Sequence, residues 1–315
     1  MFREYERGRT PNPDVLCNRE IKFDIFLDAA LDLGADYIAT GHYSRIGQIQ
    51  QDDKRIYRLL SGLDQNKDQS YFLCQLTQYQ LSKALFPIGE LTKPEVRKIA
   101  KELDLPTADK KDSQGLCFVG KVRLPEFLMQ QLKPKKGDII EIPWNFSAYE
   151  KQPANLHSQV VDAILLKELT TAQVYQPGDG KKVGDHKGAH FFTIGQRKGL
   201  EVGGTPEPLF VIQIDTDQNI IFTGQGEKHP GLYRQGLFIR EKDIHWVRDD
   251  LAIKVGQKMK VSARIRYRQA LESAELYHEP EGLYLIFDRP MKGVTPGQFA
   301  AWYDKEELLG SGIIA

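Results

Sequence analysis

The spacing of apolar residues changes along this chain, and that change restricts the fold more than any other feature. From Phe210 onward they come in short alternating runs, Phe210–Ile214, Ile220–Phe222, Leu237–Ile239, Met259–Tyr267, Ala274–Tyr277 and Leu283–Phe287, separated by Gly, Asp, Asn and Pro. A period of two broken by frequent turns predicts a small antiparallel β-barrel at the C-terminal end. The first third follows a different rule. Asn18 is placed to cap a helix over residues 19–33, with Phe23, Phe26, Leu27, Ala30 and Leu31 on one face and Gly34 as C-cap. Tyr37–Thr40 then reads as a short buried strand ending at Gly41-His42-Tyr43. These are the parts of an open parallel sheet, whose ligands sit at the carboxyl ends of its strands. Arg55–Leu60 reads as another strand. Thr77 opens a helix over Gln78–Leu85, and Thr92 with Pro94 opens one over residues 93–103, with Val96, Ile99, Ala100 and Leu103 inward.

A short helix around Pro125–Leu132 leads into the basic linker Lys133-Pro134-Lys135-Lys136-Gly137, which marks a domain boundary. The expected division is an α/β domain over residues 1–132, a small α+β middle domain over 133–236, and the barrel over 237–315. Residues 141–185, rich in Pro, Gln, Asn and Gly, read as an insertion or long excursion. Lys plus Arg and Asp plus Glu are 43 each, so net charge points to no polyanionic partner. No apolar stretch is long enough for a membrane span, and the N-terminus has no signal or transit character. Three cysteines without a Cys-x-x-Cys pair make no disulfide framework, so a reducing cytoplasm is expected. No zinc-binding spacing is present, and no metal site is expected.

Five features could carry chemistry. In Thr10-Pro11-Asn12-Pro13-Asp14-Val15-Leu16-Cys17, two prolines stiffen the approach to the expected helix. Cys17 at that helix N-terminus would have a lowered pKa, with Asp14 three residues earlier, although both could be ordinary loop residues. Cys117 follows Lys110-Lys111-Asp112-Ser113-Gln114-Gly115, a setting for a reactive thiolate or for a buried thiol beside Phe118. Cys74, inside an apolar run, reads as core. His42, at a strand end, could touch a nucleotide or serve the structure. In Asn66-Lys67-Asp68-Gln69-Ser70, helix capping by Asp68 or Ser70 is the plain reading. Finally, Lys254, Lys258, Lys260, Arg264, Arg266 and Arg268 fall in a segment without acids. From Lys258 to Arg268 they alternate with Met259, Val261, Ala263, Ile265 and Tyr267. On one strand they would share a face, suited to RNA phosphates or balanced by the acidic strand after it.

Together these segments resemble one family. Gly8-Arg9-Thr10-Pro11-Asn12-Pro13-Asp14-Val15-Leu16-Cys17-Asn18 with Ile21-Lys22-Phe23 is similar to the segment holding the first active cysteine of tRNA 2-thiouridylases, within the PP-loop ATP-pyrophosphatase superfamily. Ala39–Tyr43, Asn66–Leu73, Lys111–Phe118, Thr193–Leu200, Arg266–Gln269 and Val294–Gln298 match further family blocks in order. The resemblance implies a Rossmann-like domain of the adenine nucleotide α-hydrolase type, a middle domain and a tRNA-binding barrel. It implies ATP-dependent 2-thiolation of the wobble uridine, position 34, in tRNAs for Lys, Glu and Gln, with Mg2+ expected beside ATP. ATP adenylates the uracil 2-oxygen, and a persulfide delivered by a sulfur-relay protein or cysteine desulfurase attacks C2.

Carried over, Cys117 holds the persulfide, Cys17 attacks it or closes a disulfide with Cys117, and Asp14 is the acid/base beside the base. Gly41 matches a nucleotide contact. Asn12, Pro13, Asp14, His42, Lys67, Asp68, Gln69, Arg266, Tyr267 and Gln298 match tRNA contacts in the anticodon region. The family's Ser-Gly-Gly-x-Asp-Ser pyrophosphate loop does not occur in the sequence. The expectation is therefore an N-terminally truncated member, lacking the first strands and the ATP loop and inactive alone. The alternatives are a non-catalytic tRNA-binding remnant or another PP-loop sulfur transferase.

Overall fold

The computed structural model describes residues 1–109, 120, 124–151 and 161–315. After a short helix α1 (Phe2–Glu6), the first long helical run starts earlier than the apolar pattern suggests. Asn12, not Asn18, is the cap: its side chain accepts from the Val15 amide at 3.2 Å, and Pro13 takes the first turn of α2 (Pro13–Cys17). The run continues through a π-helical stretch, Asn18–Ile25, into α3 (Phe26–Asp32), and Gly34 follows with φ of +89°. The π stretch shifts the phase of the buried face, which explains why the periodicity pointed to a start at residue 19. Asn18 is instead buried, donating from Nδ2 to the Phe72 carbonyl at 2.9 Å.

The expected parallel pairing is present. β1 (Ile38–Ala39) lies parallel to β4 (Ala84–Leu85), with Ile38 opposite Ala84. The strand expected near Arg55–Leu60 is β3 (Lys54–Ser61), but it does not join β1. It forms a hairpin with β2 (Ser44–Gln51) and pairs with the last strand of the chain. Reciprocal capping boxes, Thr77 with Gln80 and Thr92 with Glu95, open α4 (Gln78–Ser82) and α5 (Lys93–Glu102). The face of α5 expected inward is not covered: no residue of the helix is buried, and Ile99 is exposed, as is Leu103 just beyond it.

Beyond α6 (Leu124–Leu128), the middle domain is a sheet of four strands. These are β5 (Gly137–Ile142), β6 (Lys181–His186), β7 (Leu209–Asp215) and β8 (Ile220–Gln225), in the order β6-β5-β8-β7 with only β5 and β8 parallel. The first two runs after Phe210 thus belong to this sheet and not to the barrel. Residues 141–185, expected as an excursion, contribute core at both ends through the buried Ile142 and β6. Between them α7 (Ala163–Thr170), capped by Asp162, packs Leu165, Leu166 and Leu169 on Tyr284 and Ile286 of the barrel.

The barrel is closed. β9 (Tyr233–Trp246), β10 (Lys258–Arg264), β11 (Glu272–Glu279), β12 (Gly282–Lys292), β13 (Phe299–Asp304) and β14 (Glu307–Ile314) run in the order β13-β10-β11-β12-β9-β14, and β14 pairs with β13 to complete the ring. The β2–β3 hairpin extends this sheet from β14. Leu237, Leu276, Leu285 and Trp302 fill the interior. A second core, with Val15, Phe23, Leu59, Tyr71 and Tyr303, lies where the α/β part meets the outside of the barrel. That shared core positions the loop leading to Cys17.

Candidate active site and RNA-facing surface

Asp14 and Cys17 are three residues apart on one helical segment, so their side chains lie on neighbouring turns of the same face. Cys17 is buried and unpaired, at the end of α2 rather than at a helix N-terminus. The first turn of α2, where free amides are expected, opens with Pro13, which has no N–H, and its Val15 amide donates to Asn12 Oδ1. Cys74 is core as expected, and burial pushes its thiol up to about 12. Cys117 lies outside the described residues.

The loop before α2 is held by both other domains. The Thr10 amide donates to the Pro296 carbonyl at 2.9 Å, and the Thr10 and Thr193 hydroxyls lie 3.1 Å apart. Gln298 grips the loop from the barrel side: its Nε2 donates to the Thr10 carbonyl at 2.9 Å, and its Oε1 accepts from Asn12 Nδ2 at 3.3 Å. Gly297 has φ of +90°, and a Cβ there would stand 3.1 Å from three Thr10 backbone atoms, so the turn needs glycine twice over. Beneath the loop, the buried Tyr71 hydroxyl reaches the Ile265 and Phe299 carbonyls at 3.2 and 3.0 Å. Thr193, Gly297 and Tyr71 were missed as site residues. All three fall within the family-like blocks, but their roles come from contacts between distant segments.

Several residues matched to tRNA contacts are engaged within the protein. Both oxygens of buried Asp68 are occupied: Oδ1 accepts from the Gly62 and Ser70 amides at 3.1 and 3.0 Å, while Oδ2 faces the Ser70 hydroxyl and Arg264. Gln69 and Tyr43 bond reciprocally, the Tyr43 amide to Gln69 Oε1 at 3.0 Å and the Gln69 amide to the Tyr43 carbonyl at 2.8 Å. Lys67, between these segments and Asn66, is partly buried. His42 Nδ1 lies 2.7 Å from the Thr40 hydroxyl, with Phe23 and Phe86 against the ring. Burial, with Lys22 nearby, pushes the imidazole down to about 3, so it is neutral at physiological pH.

The expected basic stripe splits. Lys258 and Lys260 are exposed on β10, with Lys258 3.3 Å from Glu275 of the acidic strand alongside. β10 then ends at Arg264, which turns inward to Asp68 and over the Tyr303 ring. Arg266 Nη2 donates to the Ile194 and Gly293 carbonyls at 3.1 and 2.8 Å and to the Thr295 hydroxyl at 3.2 Å, tying the middle domain to the barrel. Tyr267 stacks on Phe72 with ring centroids 4.3 Å apart, and exposed Arg268 lies over its other side. The alternation fails as a single face because the strand stops halfway through it.

Gly41 is exposed beyond the carboxyl end of β1, and an added Cβ would meet nothing within 4 Å, which leaves room for the edge of a nucleotide. Among the described residues no run of glycines leads into a helix N-terminus there. No helix among the described residues is long and apolar enough to cross a membrane.

A HUP-type sheet domain, a middle domain and a closed barrel meeting at an Asp-Val-Leu-Cys turn define a tRNA-modifying class of protein, and sequence comparison agrees. Residues 1–121 match the tRNA methyl transferase HUP domain, 162–225 the tRNA methyl transferase PRC-barrel domain, and 237–314 the aminomethyltransferase beta-barrel domain. The chain is 62% identical over 315 residues to the tRNA-specific 2-thiouridylase MnmA of Christiangramia forsetii, covering 100% of this chain and 79% of that protein. It is 59% identical to the same-named protein of Flavobacterium johnsoniae, with 100% and 79% covered, and 43% identical to that of Bacillus subtilis, with 99% and 72% covered. The chain belongs to the tRNA-specific 2-thiouridylase family.

Proposed function

We propose that this protein takes part in ATP-dependent 2-thiolation of the wobble uridine of tRNAs for Lys, Glu and Gln, with sulfur carried as a persulfide on Cys117. The observation that supports it best is the placing of Asp14 and Cys17 on one short capped helix whose leading loop is gripped by the barrel through Gln298. A target base has to leave its stack to reach such a turn. ATP, as co-substrate, turns the uracil 2-oxygen into a leaving group.

In this reading the terminal sulfur of the Cys117 persulfide, supplied by a sulfur-relay protein or cysteine desulfurase, attacks C2 of the uracil. Cys17 then attacks the Cys117 sulfur, forming a disulfide and leaving the transferred sulfur on C2 as AMP departs. Two electrons from a thiol reductant reopen the disulfide. Asp14 takes or returns the proton at the base. Asn12 and Pro13 shape the pocket wall, and Tyr267 with Lys67 faces the RNA. We infer that His42, Asp68, Gln69 and Arg266 serve the RNA by holding these segments in place. Gly41 lies at the nucleotide edge, Mg2+ accompanies ATP, and the setting is the cytoplasm.

The test is mass spectrometry of tRNA from cells lacking the gene and complemented with it, as wild type, Cys17→Ser or Cys117→Ser. Loss of 2-thiouridine in both variants is expected. Its persistence in the Cys117→Ser strain overturns the mechanism.

A further inference from the structure

A cavity of about 610 Å³ lies where the three parts of the molecule meet, on the other side of Pro296 from the catalytic loop. Its walls come from the Arg7–Arg9 segment, the β7 residues Ile212–Ile214, the stretch after α7, and the entry to β9. Arg234 lines it, and this arginine differs from the inward-facing Arg248 and Arg264. Arg248 is paired with Asp250 and Glu307, and Arg264 with Asp68. Among the described residues Arg234 has no carboxylate partner; one nitrogen, Nη2, donates to the Val294 carbonyl at 2.8 Å. A guanidinium carries five N–H donors in a planar fork, so most of this fork has no protein acceptor among the described residues. Burial pushes Arg234 down to about 10, which leaves it charged at neutral pH with no counter-ion among the described residues.

A second donor stands nearby on the same lining. The Tyr149 and Tyr175 hydroxyls are 2.7 Å apart, and burial pushes both pKa values up, so both stay protonated. In such a pair one hydroxyl donates to the other, and the accepting hydroxyl has its own proton to spare. Gly231 makes room for them: a Cβ there would stand 2.6 Å from Tyr175 Oη and 2.7 Å from Tyr149 Oη. Arg9 adds positive charge, though its Nε is paired with Glu4 at 2.8 Å. The one acid among the described residues of the lining, Glu168, is exposed. The rest of the wall includes the apolar Ile212, Leu232 and Val294. The volume falls in the ~300–1,000 Å³ range of small-molecule sites and is far larger than a phosphate ion needs.

We propose that this cavity binds a nucleotide-sized phosphate ester, with the phosphate on Arg234 and the spare tyrosine hydroxyl and the nucleoside against the apolar wall. Arg234, Thr171, Ala172 and Pro296 also line an adjoining open groove that carries Lys167, Arg240 and Lys242 together with Glu241 and Glu281, Lys167 lying 3.7 Å from Glu281. The same chemistry therefore fits a free nucleoside monophosphate or one nucleotide of an RNA strand lying along the groove. The site uses none of Asp14, Cys17 and Cys117, so it stands or falls apart from the thiolation reading.

The experiment is calorimetric titration of the 315-residue chain with uridine 5′-monophosphate, inorganic phosphate and a short oligouridylate, in low chloride. Saturable binding of the monophosphate or the oligonucleotide is expected, weakened at least tenfold by Arg234→Gln and about threefold by Tyr175→Phe, with Arg234→Lys in between. Monophosphate binding that depends on Arg234 identifies a free ligand. Dependence seen with the oligonucleotide alone identifies an RNA strand. Thermal unfolding keeps the test sound: the ligand-free midpoint of Arg234→Gln should not fall, because an unpaired charge has been removed, whereas the ligand-induced rise should disappear. No saturable binding by the wild type, or equal binding by folded Arg234→Gln, overturns the proposal.

Discussion

In the barrel, Trp302 is wholly buried, with its ring centroid 5.2 Å from that of Trp246 and the Gly310 backbone tight against it. In the α/β part, Leu33 is 90% exposed, and Ile25, Phe26, Tyr37, Leu85 and Leu103 are exposed with it. Both parts are rich in apolar residues, so composition does not separate them. Closure does: six strands paired in a ring leave no unpaired edge and enclose their apolar face, whereas two paired strands of two residues each enclose almost nothing. The α/β part is held mainly by its contact with the outside of the barrel, through Val15, Phe23 and Tyr71. The turn carrying Asp14 and Cys17 thus borrows its rigidity from a domain that is distant in sequence.

The sharpest way to break this comparison is to cut one large side chain from each part. Trp302→Ala should cost about 4 kcal/mol, through lost burial and the cavity left behind. Leu33→Ala should stay within about 0.5 kcal/mol, because its side chain is already in water. Urea unfolding midpoints give both values. A large loss from Leu33→Ala would show that the α/β part has a buried face of its own.

The joint between the parts is the next target. Asp68 and Arg264 form a buried pair with Ser70 and Tyr303, linking the 61–76 segment to β10. Asp68→Ala should cost about 3 kcal/mol, since it strands the Arg264 guanidinium without its counter-ion. Adding Arg264→Met should recover much of that loss, because the stranded charge is then removed. Strict additivity in the double-mutant cycle would mean that the pair is not what couples the two parts.

Legibility in the sequence followed the range of the interactions. The Thr77 and Thr92 capping boxes and the short strand before Gly41 could be read because their signals lie within a few residues. Strand β3 could also be read, but not its partner: Arg58 meets Glu307 across 249 residues, and nothing local encodes that. The start at Asn12 was legible from Pro13 after it, yet the π-helical stretch moved the apolar phase and favoured Asn18. At the candidate site, Asp14 and Cys17 showed as a spacing, whereas the grip of Gln298, Thr193 and Gly297 on the loop exists only once three domains meet. The basic alternation was real as sequence. It misled because β10 ends at Arg264 and the next arginine turns to backbone carbonyls.

A further test concerns His42, a buried titratable group just beyond β1. His42 is held down to about 3 by burial, against an ordinary value near 6.5. The unfolded chain therefore takes up the proton first as pH falls. The neutral ring's contribution is complete above pH 6.5 and is lost progressively as the pH drops from there toward 3. Between pH 7 and 5 the loss should be about 2 kcal/mol from this residue. His186, His190, His229 and His245 are shifted in the same direction, so the whole protein should lose more than that. His42→Asn should remove His42's share and flatten the pH dependence of the urea midpoint without abolishing it. An unchanged slope would mean that water reaches the ring, and that the α/β part is looser around Phe23 and Phe86 than its contact with the barrel implies.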